Sequence, residues 1–452
     1  MRRSFPLLLV FTACASAGRI PPSVPPPLEA EHGVRFSIIC HFACGEAAGM
    51  ALSAAERAWQ RTTTLFGVDA RGMSPRPIHL YGTEDHYEAV EGALTGGRLR
   101  LNRAMTYRGE EAHISVHPYL TAEARDEFGL TTNTLRVIAH EAAHIASRTL
   151  APRTRALPDW LDEGISSWVE QSVLIDLGLS VNRAEEPVSG TRSYLLKDRL
   201  QRDQMPSLST LLEGQDDMFT LAERYAFYQI FFQFVLESRY GDRMTETLRQ
   251  LDRFRGSGGR LGRAIVKEVF DREMNELSGL QAEFHEYLRT LEPGWVEAKR
   301  ALSVSGENWL QVGFDAGAEA WRWNPVPELP YTLSGQVRIL AGGAETASVM
   351  VALEGGGKLS IRMRPHEVRI DRLTTARDRT RDTVARTPLA SLRPGAAVTF
   401  RVRVDRNEVV AEVADLPPLT ATDVQPSGRW GLEAGPAANV IWRGVSVEET
   451  NR

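Results

Sequence analysis

The chain has 452 residues, 42% apolar and 25% charged, which is the composition of a soluble globular protein long enough for two domains with separate cores. Its 53 basic and 58 acidic residues leave a net charge of −5 and give no global case for nucleic-acid binding. The densest basic stretch, 362 to 386, interleaves Asp and Glu with its arginines and is expected to be a solvated strand-and-loop surface.

At the amino terminus Arg2 and Arg3 precede an apolar stretch, Phe5 to Ala13, too short to span a bilayer. Cys14 follows Phe11-Thr12-Ala13, and this resembles a lipoprotein signal peptide in which Cys14 becomes the lipidated first residue. Cleavage after Ala15-Ser16-Ala17, releasing a secreted protein, is the alternative. Residues 18–30 form a Pro-rich linker, a stiff spacer that favours the anchored form and an export site facing the periplasm or the cell exterior. Cys40 and Cys44 are read equally as a disulfide or as free thiols, because a metal site built on them lacks a fourth ligand.

Residues 31 to about 125 alternate strand-like segments, Val34 to Ile39 and Pro77 to Tyr81, with a helical stretch from Ala51 to Leu65. Arg108 to His117 alternates as an edge strand does, which would line a cleft and take an extended peptide by strand addition. His113 and His117 then share one face, which could touch the site, although a partly exposed edge position with no metal role is the favoured reading. From Asn133 to about Leu291 the pattern is mainly helical, interrupted by Pro206 and by a polar loop from Asn182 to Ser193.

Chemistry concentrates at His140-Glu141-Ala142-Ala143-His144, followed after eighteen residues by Glu163. Val137, Ile138 and Ile145 supply an apolar stripe, Thr132 and Asn133 are candidate caps, and neither Pro nor Gly falls between Asn133 and Leu150. Positions four apart share a helix face, so two imidazoles can meet one ion while Glu141 sits one step round, suited to act as a base on water. Pro158 is expected in the first turn of the next helix, which carries Glu163 and, on the same face, Glu170. The competing reading of this stretch is an exposed amphipathic helix with incidental histidines.

The spacing H-E-x-x-H, eighteen residues and Glu, inside Trp160-Leu161-Asp162-Glu163-Gly164-Ile165-Ser166-Ser167-Trp168-Val169-Glu170, resembles the gluzincin metallopeptidases, in particular the peptidase-MA-like group related to the M1 aminopeptidases. The resemblance implies one zinc ion held by His140, His144 and Glu163, Glu141 as the base, and Glu170 supporting a ligating histidine. It extends to Glu223-Arg224-Tyr225-Ala226-Phe227-Tyr228-Gln229, similar to a helix that brings a tyrosine to the oxyanion, with Tyr225 favoured over Tyr228. Upstream of His140 there is no G-x-M-E-N motif, so the aminopeptidase specificity does not carry over.

After Pro293-Gly294-Trp295 the period becomes two, as in Tyr331, Leu333, Val337 and Ile339, in Leu359, Ile361 and Met363, and in Val398, Phe400, Val402 and Val404. Gly395 to Val404, Ser427 to Leu432 and Val440 to Val447 resemble a concanavalin-A/laminin-G-like jelly roll, which implies a glycan or cell-surface ligand. The expected fold is therefore an α+β zincin-type metallopeptidase domain over 31–295 and an all-β antiparallel sandwich over 296–450. The expected activity is hydrolysis of a peptide or protein substrate, with the lipid anchor as the sole membrane contact. Two rivals stand beside it, a non-catalytic zinc-binding scaffold and a glycan- or wall-binding lipoprotein.

Overall fold

The structure is a computed structural model, and it describes residues 21–449 apart from 69–73, 97–103, 117–129, 152–155, 180–186, 215–218, 255–256, 299–301, 306–307, 313–316, 323–325, 341–345, 365, 374–380, 389–394 and 437. Cys14 with the rest of the expected signal segment, and His117, lie outside the described residues.

The first half opens with strands β1 (Glu29–His32), β2 (Phe36–Cys40), β3 (Arg76–Tyr81), β4 (Ala104–Tyr107) and β5 (Glu111–Ser115). They form one mixed sheet in the order β1-β2-β3-β5-β4, parallel in its middle and antiparallel at both edges. Parallel neighbours need long crossovers, and helices α1 (Ala47–Phe66) and α2 (Glu84–Thr95) provide them. Ile78, Leu80, Ala112 and Ile114 point into the main core, while His79, Tyr81 and His113 pack on the opposite face. A disulfide joins Cys40 to Cys44 just after β2.

The stretch Arg108–His117 is not the sheet edge that its alternation suggested. Residues 111–115 form β5, an inner strand with every residue buried, and the edge is β4. Alternating small and polar residues look the same on a one-sided edge strand as on a two-faced inner strand whose polar side chains stack on each other. Residues 108–110 make the tight turn between the two strands, with Arg108 and Gly109 at positive φ.

The helical half contains α3 (Thr132–Leu150), α4 (Asp159–Asp176), α5 (Pro187–Gln201), α6 (Leu208–Leu212), α7 (Leu221–Glu237), α8 (Gly241–Arg249), α9 (Gly258–Phe270) and α10 (Ser278–Thr290). Thr131, not Thr132 or Asn133, caps α3, accepting from the Thr134 amide at 3.1 Å. Pro158 sits at the cap position of α4. α1 buries Ala47, Ala48, Ala51, Ala54, Ala55 and Ala58 beside the buried Ala139, Ala142, Ala143 and Ala146 of α3, so the two helices approach closely. The polar segment 182–193 is not a loop throughout, because α5 already begins at Pro187. A Pro at a helix start lacks only an amide hydrogen that would have had no partner there.

Fourteen further strands are described: β6 (Trp295–Ala298), β7 (Leu302–Ser305), β8 (Asn308–Val312), β9 (Ala318–Arg322), β10 (Tyr331–Leu340), β11 (Ala347–Leu353), β12 (Lys358–Arg364), β13 (Glu367–Leu373), β14 (Arg381–Pro388), β15 (Ala397–Val404), β16 (Glu408–Val413), β17 (Leu419–Thr422), β18 (Pro426–Ala434) and β19 (Asn439–Glu449). They build two antiparallel sheets, β17-β16-β15-β10-β19-β8-β7 and β14-β13-β12-β11-β18-β9-β6. Leu333, Val402, Val349, Ile361, Ile370 and Trp442 belong to the core between them, at the positions that period two assigns inward. The chain therefore ends in a β-sandwich. Its edge strands β6 and β7 lie against α5 and α3.

The basic stretch from 362 is solvated along β14, where Asp382 and Arg386 are exposed, but not around Arg362 and Asp371 on β12 and β13. Arg362 and Asp371 are 8% and 0% exposed. Arg369 Nε lies 3.0 Å from Asp371 Oδ2, and Arg362 Nη2 lies 3.7 Å from Glu433 Oε2. Outward positions on β12, β13 and β18 line up across the sheet, so opposite charges neutralise and cover each other. Among the described residues no helix is long and apolar enough to cross a membrane.

Among the described residues, the buried apolar cluster of the sandwich runs from Ala320 to Trp442, and that of the first half ends at Leu288. The segment 295–449 is accordingly predicted to unfold cooperatively when expressed alone. Phe400→Ala should cost it about 3–5 kcal/mol in denaturant titration. An unfolded isolated segment would show that the contacts of β6 and β7 with the helices are required.

Candidate metal centre

His140 and His144 occupy one face of α3, and Glu163 faces them from α4. The Nε2 atoms of the two rings are 3.1 Å apart. Glu163 Oε2 is 3.1 Å from His140 Nε2 and 3.6 Å from His144 Nε2. Donors at about 2.0–2.1 Å from a tetrahedral zinc ion are separated by about 3.3 Å, so this triangle has the size of such a site.

The far side of each ring determines what its near side offers. Glu170 Oε2 is 2.8 Å from His140 Nδ1, and Asp162 Oδ1 is 3.0 Å from His144 Nδ1. An ionised carboxylate only accepts, so each Nδ1 donates and each Nε2 lone pair turns inward. When the rings are neutral, two lone pairs and an anionic oxygen thus converge on one point. That donor set fits a zinc ion, with His140, His144 and Glu163 as the residues that would hold it.

Glu170 is fully buried, and its Oε1 accepts from Arg136 Nη1 and Arg192 Nη1, each at 2.9 Å. Burial pushes its carboxyl up, but Arg136, Arg192 and His140 outweigh burial and hold it below the usual carboxylate range. Burial likewise opposes ionisation of Glu163, and the adjoining His144 and His140 hold it below the usual range. Taken as protein groups alone, the cluster takes up protons. Burial pushes His140 down, yet its hydrogen bonds to Glu163 and Glu170 prevail and it is pushed up to about 9.

Glu141 is buried beside the triad, and the Thr106 hydroxyl of edge strand β4 donates to its Oε2 at 2.6 Å. Tyr225 on α7 has its ring centroid 6.1 Å from that of His140. Burial pushes its phenol above the ordinary value, and the Glu163 and Glu141 carboxylates add to the shift, so the hydroxyl keeps its proton. Tyr228 packs on Tyr225 and Phe227 and lines a small cavity with Leu211, Gly214 and Arg224. Of the two rings it is that of Tyr225 that packs against His140. His113 belongs elsewhere, stacked on His79 with centroids 4.9 Å apart and 2.8 Å from the Tyr81 hydroxyl.

Close helix packing fixes the height of Glu163. A Cβ on Gly164 would lie 2.9 Å from the Tyr228 carbonyl oxygen and 3.0 Å from Phe232 Cβ, so α4 and α7 meet here without a side chain between them. Asp162, Arg136, Arg192 and Thr106 were not foreseen from the sequence. Arg136 carried a signal, since it lies four residues before His140 on the same helix face. Asp162 precedes Glu163 directly, but only the crossing of α3 over α4 shows which ring it meets.

No protein-family model matches the chain, and no curated protein matches it. Among solved structures, the chain is similar to a carbohydrate-binding module from Bacillus subtilis, at 11% identity over 34% of this chain and 96% of that one, with a TM-score of 0.29. It is also similar to a Bacillus subtilis protein of unknown function with a galectin-like fold, at 13% identity over 35% and 90%, with a TM-score of 0.27. A functionally unknown protein from Saccharomyces cerevisiae is similar at 13% identity over 35% and 96%, with a TM-score of 0.26.

Because protons and a cation compete for the same lone pairs, zinc affinity is predicted to rise with pH up to about 9, by about tenfold per pH unit for each proton displaced. Competition against a chromophoric chelator between pH 6 and 9 measures this, and a flat profile would contradict it. Gly164→Ala is predicted to cost about 1–3 kcal/mol in stability and to weaken zinc binding, because α4 must move away from α7.

Proposed function

We propose that the chain is an exported zinc metallopeptidase of the gluzincin type, anchored through Cys14, which hydrolyses a peptide or protein substrate. The observation that carries this reading is the convergence of three electron pairs from His140, His144 and Glu163, with Glu141 and a protonated Tyr225 next to them. Zinc bound there would supply Lewis acidity, which acidifies water and polarises a scissile carbonyl. Glu141 takes the proton of the attacking water and returns it to the leaving amine, and the Thr106 hydroxyl holds its Oε2 for that transfer. Tyr225 Oη donates to the oxygen that becomes negative. Glu170 and Asp162 keep both imidazoles in the tautomer that leaves Nε2 free to bind.

Among the described residues β4 is an edge strand of the sheet, and it carries Thr106 beside Glu141, so an extended peptide adding to that edge would run past the base. The proposed site of strand addition is therefore β4, since 111–115 is an inner strand. For the sandwich, read as a concanavalin-type jelly roll, the proposed role is to place the enzyme on a glycan or cell surface. Its support is a core separate from that of the first half.

Glu141→Gln is predicted to keep zinc and the wild-type far-ultraviolet spectrum while losing peptide-library hydrolysis by several orders of magnitude. Tyr225→Phe should lower kcat by about 10²–10³-fold, whereas Tyr228→Phe should leave it within about twofold. A zinc-loaded wild type that cleaves nothing in a broad library would replace this reading with a zinc-binding scaffold.

A further inference from the structure

Arg192 is 1% exposed, although nothing in the proposed reaction needs it to touch substrate. It stands on α5, in sequence outside the segment that carries the triad. Its Nη1 donates to Glu170 Oε1 at 2.9 Å and also to the side-chain carbonyl of Gln229 on α7. Arg136 Nη1 reaches the same Glu170 oxygen at 2.9 Å from α3, and its Nη2 is tied to Asn133 Oδ1 at 3.0 Å. Glu170 therefore has one oxygen held by two guanidinium groups and the other on His140 Nδ1.

A buried carboxylate held only by a histidine could swing about its terminal torsion, which is broad for a glutamate. Two donors on the second oxygen, arriving from α3 and from α5, remove that freedom. Arg136 belongs to the same helix as His140 and cannot by itself fix α4 against the rest of the fold. Arg192 can, because its helix is anchored independently. Lys197, further along α5, donates to the carbonyls of Arg289 and Leu291 at the end of α10, and β6 of the sandwich lies against α5.

We propose that Arg192 is a positioning residue of the metal centre, which fixes the ring of His140 through Glu170 and makes α5 part of the frame that holds the ligands. This rests on the zinc reading above. The charge count agrees with such a role: two buried cations and one anion at this point would be a poor choice for stability alone, since the second guanidinium brings a desolvation cost that one carboxylate does not fully offset.

The test uses the full chain as Arg192→Leu, Arg192→Lys and Phe400→Ala, the last a truncation of a buried side chain in the core of the sandwich. Zinc affinity is measured by chelator competition, cobalt-substituted protein by its visible absorption, and folding by circular dichroism. Arg192→Leu should bind zinc about 10–100-fold more weakly and shift the cobalt bands, and Arg192→Lys, which keeps the charge on a smaller donor, should recover part of both. Phe400→Ala should lower the melting temperature and leave affinity and cobalt bands unchanged. Wild-type affinity and spectrum in both Arg192 variants would overturn the proposal, as would an equal loss in Phe400→Ala. If Arg192→Leu fails to fold, the lysine variant and the Phe400→Ala control decide on the same criteria. A wild-type protein that binds no zinc would overturn the metal reading itself, and this proposal with it.

Discussion

Two helices have to cross at one fixed separation for anything else in the first half to work. α3 brings two imidazoles and α4 one carboxylate, and the donor atoms meet at 3.1–3.6 Å only because each helix is backed by close contacts. On one side buried alanines of α1 and α3 face the contact between those helices, and on the other Gly164 lets α4 reach α7. Interiors packed at this density do not deform gradually, so an added methyl group is felt as a shift of a whole element. The sheet below provides a floor of Ile78, Leu80, Ala112 and Ile114, and its edge strand delivers Thr106 to Glu141.

The charges between these helices are arranged for orientation at the expense of stability. Glu170, Arg136 and Arg192 are all nearly withdrawn from water, and an ion cluster of this kind gains little over well-packed apolar groups. Removing one partner is a different matter, costing about 3–5 kcal/mol because an uncompensated charge remains inside. What the cluster provides is direction: once a ring is neutral, the carboxylate behind it keeps the remaining proton on Nδ1 and turns the Nε2 lone pair inward. The network around Arg362, Arg369, Asp371 and Glu433 in the sandwich follows the same rule of mutual neutralisation with no histidine at its centre.

Features set by short-range geometry were legible in the sequence, and features set by tertiary contact were not. The pairing of His140 with His144 follows from helix periodicity, and the strands after Trp295 follow from a period of two backed by turn glycines. Glu163 and Glu170 follow from their seven-residue spacing on one face of a second helix, and the resemblance adds the assignment of Glu163 as a ligand. Arg192 was hidden because 182–193 is polar enough to pass for a loop, whereas Pro187 starts a helix whose inner face closes over Glu170. Residues 111–115 misled for a related reason, since a strand with one face in the apolar core and the other covered by stacked histidine and tyrosine rings has the same alternation as one half in water. Tyr225 and Tyr228 lie three residues apart on one helix, and only the position of α7 against α3 separates them.

The most direct measurement is X-ray absorption at the zinc edge on the purified full chain. The account predicts about one zinc per chain with nitrogen and oxygen scatterers at about 2.0–2.1 Å, outer-shell imidazole scattering from two rings, and loss of that signal in a His140→Ala/His144→Ala double variant. Absence of zinc, sulfur scatterers at about 2.3 Å, or a spectrum unchanged in the double variant would contradict it.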